Sequence, residues 1–203
     1  MKRLVLLVTT LALGACSSEQ AEVPQEPLPK ELDSLVLDAV PADIENRTFI
    51  DFEGKVHIVG YEVKPAGVIP PGGNVDLTIY WRSVSKLGPG WKLFTHLVDP
   101  TGDRFASGGN IDNVGPLRQG SGEEQTLPPS KWVPGKVYVD KQQFQIPRDV
   151  KTSMVTITTG IWKGNHRLDV ISGPHDRERR AFIAHVPTGV TPPKPVRTPE
   201  KAE

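Results

Sequence analysis

The feature that most constrains this chain is an alternation of apolar and polar residues in short runs, each closed by a turn rich in glycine or proline. The clearest run is Val75 to Arg82. Val75, Leu77, Ile79 and Trp81 fall on one face, and Asp76, Thr78, Tyr80 and Arg82 on the other. A period of two is that of a strand with one buried side. Pro70-Pro71-Gly72-Gly73-Asn74 precedes this run and Gly88-Pro89-Gly90 follows it, both strong turn signals. Similar texture recurs over Val56 to Val63 and over Trp91 to Asp99, where Asp99-Pro100-Thr101-Gly102-Asp103 closes the strand. It continues at Lys136 to Asp140 with Phe144 and Ile146, at Val155 to Trp162, at Arg167 to Ile171 and at Ala181 to Val186. Glycine (19) and proline (20) make up nearly a fifth of the 203 residues, which favours turns over long helices. About seven short strands with turns between them predict an all-β fold. The expected architecture is an antiparallel β-sandwich, jelly-roll or immunoglobulin-like, over residues 49–186. No internal repeat is visible.

Two stretches depart from this texture. Leu32 to Val40 carries a weak pattern, consistent with a helical turn or a docking segment. Residues 106–135 are rich in Gly, Asn, Pro and Ser, and so long a loop inside a compact domain is usually functional or mobile. The ends differ again. Ser17 to Glu31 is polar, acidic and proline-bearing, and Pro187 to Glu203 has the same character. Neither has enough apolar surface to pack, so both are predicted to be disordered. The tail's prolines favour extended polyproline II.

The start of the chain is of another kind. Lys2 and Arg3 precede an apolar run from Leu4 to Leu13, broken only by Thr9 and Thr10. About ten apolar residues suit the core of an export signal and fall short of the ~20 needed to span hydrocarbon. Leu13-Gly14-Ala15-Cys16 follows directly and resembles the lipobox of bacterial lipoproteins. The resemblance implies cleavage before Cys16 and acylation of its thiol and new amine with fatty chains such as palmitate. Cys16 is the only cysteine in the chain, so an intramolecular disulfide is excluded. More than one acyl chain, at about 0.8 kcal/mol per buried CH₂, makes attachment to a membrane stable. Ser17 after the cysteine implies, within that family, sorting to the outer membrane where the cell has one. The predicted organisation is a signal over 1–15, a lipidated tether and docking segment over 16–48, the sandwich, and a tail over 187–203.

Charge narrows the partners. Without Lys2 and Arg3 the remaining 22 Lys and Arg face 24 Asp and Glu, a net of −2. That gives no basic excess for phosphates, and nucleic acid is not an expected partner. The densest cationic stretch, Arg177-Glu178-Arg179-Arg180, reads as a solvated entrance to the last strand. No catalytic constellation is legible. There is no G-x-S-x-G elbow, no H-E-x-x-H or H-x-H pair, and His57, His96, His166, His175 and His185 are scattered. Asp99 to Asp103 lacks the acidic ladder of a calcium loop, and Glu123-Glu124 reads as a solvated pair. The chain is therefore expected to be non-enzymatic and to carry no cofactor or metal.

One face stands out. Lys92, Phe94, His96 and Val98 alternate with Trp91, Leu93, Thr95 and Leu97, so both sides of that strand are partly apolar. Val155, Ile157 and Ile161 predict a core side that leaves Thr156, Thr158 and Trp162 opposite. Tyr80, Arg82, Phe94, His96 and Trp162 thus form a candidate ligand face of the kind a sugar-binding sheet needs. The competing reading is that loop 106–135, with Trp132, or the N-terminal segment packs over it as a second small core.

Several segments also share an order: Tyr80-Trp81-Arg82, Phe94 to Asp99, Asn110-Ile111-Asp112 with Gly115, Trp132-Val133-Pro134-Gly135, Ile146-Pro147, and Gly160-Ile161-Trp162 with Arg167-Leu168. Over about Val56 to Ile171 this resembles a β-sandwich module appended to bacterial membrane glycosyltransferases and other envelope proteins. The resemblance implies a fold more than an activity, and the transmembrane catalytic part of those enzymes has no counterpart here. The combined expectation is a lipid-anchored, non-catalytic binding or assembly module of the bacterial cell envelope. Its partners would be membrane lipid through Cys16 and a glycan or envelope protein. The alternative is a carbohydrate-binding lipoprotein accessory to a polysaccharide system.

Overall fold

The computed structural model describes residues 30–120 and 124–191. The predicted signal, Cys16, nearly all of the tether and most of the tail lie outside the described residues. A short helix, α1 (Lys30–Asp33), leads into ten strands. These are β1 (Val36–Leu37), β2 (Asn46–Phe52), β3 (Val56–Lys64), β4 (Asn74–Ser83), β5 (Lys92–Val98), β6 (Val137–Gln145), β7 (Met154–Lys163), β8 (His166–Arg167), β9 (Val170–Ser172) and β10 (Ala181–Pro187). All pair antiparallel. One sheet runs β1-β6-β4-β3-β2-β9 and the other runs β10-β7-β5, with β8 beside β7. The fold is an all-β sandwich.

The alternation of β4 explains the core. Val75, Leu77, Ile79 and Trp81 are essentially inaccessible and face Leu93 and Leu97 of β5 and Val155, Ile157 and Ile161 of β7 in one cluster. Trp81 lies at its centre, 5.7 Å from the Phe52 ring and 6.1 Å from that of Trp132. Trp132 in turn stacks on Tyr138 at 4.5 Å and 8°. The strand-rich body begins before residue 49. Leu32 and Leu35 are buried in the core, and Val36 and Leu37 pair with Tyr138 and Val137 at the edge of the larger sheet. At the other end, Thr188 is buried beyond β10.

The long loop does not form a second core over the outer side of β5. It occupies the open edge of that strand, where unpaired N–H and C=O groups would otherwise face solvent. Leu97 N–H donates to the Gly109 carbonyl, and Phe105 and Ile111 N–H donate to the Leu97 and Thr95 carbonyls. At Leu93 the partner is a side chain: Gln125 accepts from Leu93 N–H and donates to its carbonyl, both at 2.8 Å. Ile111, Leu117, Leu127 and Trp132 then enter the main core. Gly115, at φ +102, permits this descent, because a Cβ there would stand 2.0 Å from the Lys141 carbonyl oxygen. Replacing Gln125 with Ala strands a buried donor and acceptor on β5, so it should destabilise the fold by about 1–3 kcal/mol. Urea unfolding measures this, and a change under about 0.5 kcal/mol, the size of an ordinary surface substitution, would contradict the edge-pairing role.

Candidate functional site

The outward side of the smaller sheet carries a cleft of about 490 Å³. Its floor is set by strand period: Phe94 and His96 alternate on β5 with the core residues Leu93 and Leu97, and Trp162 ends the same face of β7. The Phe94 and His96 rings lie 5.0 Å apart. Phe94 lies across β7 because residue 160 is glycine. A Cβ at that position would come within 2.6 Å of two ring carbons of Phe94.

Two loops wall the cleft. One is the turn between β7 and β8, which brings up Arg167. Its guanidinium lies 4.9 Å from the Phe94 ring centroid, a cation–π contact, and Nη1 donates to the Glu178 carbonyl at 2.7 Å. The other wall is the 173–180 segment, organised by Asp176. Its carboxylate accepts from the backbone N–H of Glu178 (2.8 Å) and of Arg180 (3.0 Å), and from Arg180 Nε at 2.6 Å. Arg180 is buried against the hairpin after β5, donating to the Gly102 carbonyl. Arg177, Glu178 and Arg179 are left lining the cleft. The run at 177–180 leads into β10 with Arg177, Glu178 and Arg179 exposed, as expected of a solvated strand entrance; Arg180 is the buried exception.

His96 is nearly buried, and its Nε2 lies 3.4 Å from Asp112 Oδ1, which also accepts from Thr95 N–H at 3.0 Å. Asp112 is thus held by the edge-covering loop. Trp162 sits below the Lys92 ammonium at 5.8 Å, and its indole N–H is buried with no acceptor among the described residues.

Of the five residues expected on one ligand face, the structure brings together Phe94, His96 and Trp162. Tyr80 and Arg82 do not join them. They lie on β4 in the other sheet, alternating with the core residues Ile79 and Trp81, and so face away from the cleft. A strand's own alternation gives two faces but not which sheet it joins. Tyr80 donates instead to Glu62 Oε1 at 2.8 Å. Partial burial, this bond and the negative charges of Glu62 and Asp43 push its phenol up to about 12. The folded chain then keeps a proton that the unfolded chain loses near its ordinary value of 10. Stability from this group is present below that pH and lost as pH rises toward 12. Absorbance at 295 nm should show a tyrosine ionising near pH 12 that Tyr80→Phe removes; an unchanged titration curve in that variant would contradict the assignment.

Sequence reading missed Arg104, Asp112, Arg167 and the 177–179 wall as site residues. The available signals were the charged run before β10 and the Arg167-Leu168 pair after Trp162. Asp99 makes only an Asx-type turn, accepting from the N–H groups of Thr101 and Asp103. Sequence comparison matches the chain to no protein-family model and to no curated relative. The functional reading therefore rests on the chain's own residues.

Proposed function

We propose that this chain is a lipoprotein of the bacterial cell envelope, held to a membrane through acylated Cys16, whose sandwich is a non-catalytic binding or assembly module. Leu13-Gly14-Ala15-Cys16 directly after a short apolar run is the observation that carries the anchoring. It gives the chain's only thiol a use at the cleavage position. The polar stretch from Ser17 then serves as a tether between lipid and sandwich. In a cell with two membranes, Ser17 favours the outer one. The shared order of short motifs over Val56 to Ile171 supports kinship with the modules appended to envelope glycosyltransferases. Growth with alkyne-tagged palmitate tests the anchor: the wild-type chain should take up label, and Cys16→Ala should not. An unlabelled wild-type chain would overturn it.

A second reading is favoured by the cleft. Trp162 offers an apolar ring face, and Asn165 and several arginines supply hydrogen-bond donors beside it. Flat apolar surface edged by planar donors suits a pyranose, which has one apolar face and a rim of hydroxyls. On this reading the module holds a saccharide of the envelope while the lipid fixes it to the membrane.

A further inference from the structure

Resting on the saccharide reading just given, we propose that the cleft selects an acidic saccharide, one whose sugars carry carboxylates. Charge carries the selection. Arg104, Arg167, Arg177 and Arg179 line the cleft against only two carboxylates, Asp112 and Glu178. Both acids are already engaged. Asp112 faces His96 and the Thr95 N–H, and Glu178 Oε2 lies 3.4 Å from Arg167 and 3.6 Å from Arg180. Arg167 is fixed over Phe94, and Arg179 is paired with Asp169. Arg104, on the hairpin after β5, and Arg177, in the 173–180 wall, have no ion-pair partner among the described residues. Guanidinium is the side chain best shaped to take a carboxylate through two parallel hydrogen bonds. In a chain of near-zero net charge, these free cations beside an aromatic floor are a local excess.

The floor separates a sugar from a bare anion. The half-buried Trp162 ring would be idle against phosphate, whereas a pyranose ring can lie on it.

Calorimetry on the full chain should use galacturonate, glucuronate and mannuronate oligomers, each paired with its methyl ester, which keeps the ring and removes the charge. At least one acid should bind at least tenfold more tightly than its ester. Raising NaCl from about 50 to 500 mM should weaken the acid severalfold and leave the ester unchanged, as screening requires. Arg104→Ala with Arg177→Ala should abolish the preference for the acid while leaving ester binding in place. Tyr80→Ala, on the other sheet, should change neither. Equal binding of acid and ester would overturn the acidic selectivity and leave the saccharide reading standing. Binding of no oligomer, or binding of inorganic phosphate as tightly as the best acid, would overturn both.

Discussion

Replacing Asp140 with Ala is expected to destabilise the sandwich by about 3–5 kcal/mol, enough to unfold much of a domain of ordinary stability. Asp140 and Arg118 form an ion pair whose side chains are both fully inaccessible, with Arg118 Nη2 2.6 Å from Asp140 Oδ2. The same carboxylate accepts from Trp81 Nε1 at 3.2 Å and from Gln142 Nε2 at 3.1 Å. Removing the acid leaves a guanidinium in an apolar core and strands the central tryptophan's N–H. Arg118→Met should cost a similar amount by exposing Asp140 to the same environment. The double variant Arg118→Met with Asp140→Leu is expected to recover most of the loss. Desolvation of the pair is itself costly, and Arg118 Nη1 and Gln142 Oε1 already lack partners among the described residues. Chemical denaturation of the three variants measures the coupling. Additive losses in the double variant would show that the two charges do not act as a pair.

The second large effect concerns location rather than folding. Cys16→Ser should move the protein from the membrane pellet to the soluble fraction almost completely, with the fold unchanged. Cys16 precedes the sandwich, and the described body from Lys30 onward makes its core without it. If Cys16 is acylated as proposed, the variant forgoes about 0.8 kcal/mol for each CH₂ that the acyl chains would bury. Membrane retention of the serine variant would mean that a protein contact or an uncleaved apolar start holds the chain there. A clean release, together with an unchanged circular dichroism spectrum, would separate anchor from module as the account requires.

The strands were legible because their information is local. Val75 to Trp81 alternates cleanly, and one buried side per strand is enough to predict a sandwich. Phe94, His96 and Trp162 were legible for the same reason, since each is out of phase with a core residue on its own strand. Tyr80 and Arg82 were placed with them because period two cannot say which of two sheets a strand enters. Pairing of β4 with β3 and β6, and of β5 with β7, is long-range information. The 106–135 loop was misleading for a related cause. Its length and composition read as functional or mobile, or as a cover for the outer face, yet Gln125 and Asp112 spend their polar groups on the edge of β5, and Arg118 spends its charge on Asp140. A polar residue reads as exposed until its partner is known. Within the exposed 177–180 run only Arg180 was hidden in the same way, its burial being fixed by Asp176 and by its contact with the hairpin after β5.

The anchored module has one direct test, the intact mass of the mature protein extracted from membranes in detergent. Acylation at Cys16 requires a chain that begins at Cys16 and carries the added mass of a diacylglyceryl group, with or without a third acyl chain. A mature chain that begins at Met1, or one that begins at or after residue 16 with no added lipid mass, would contradict it.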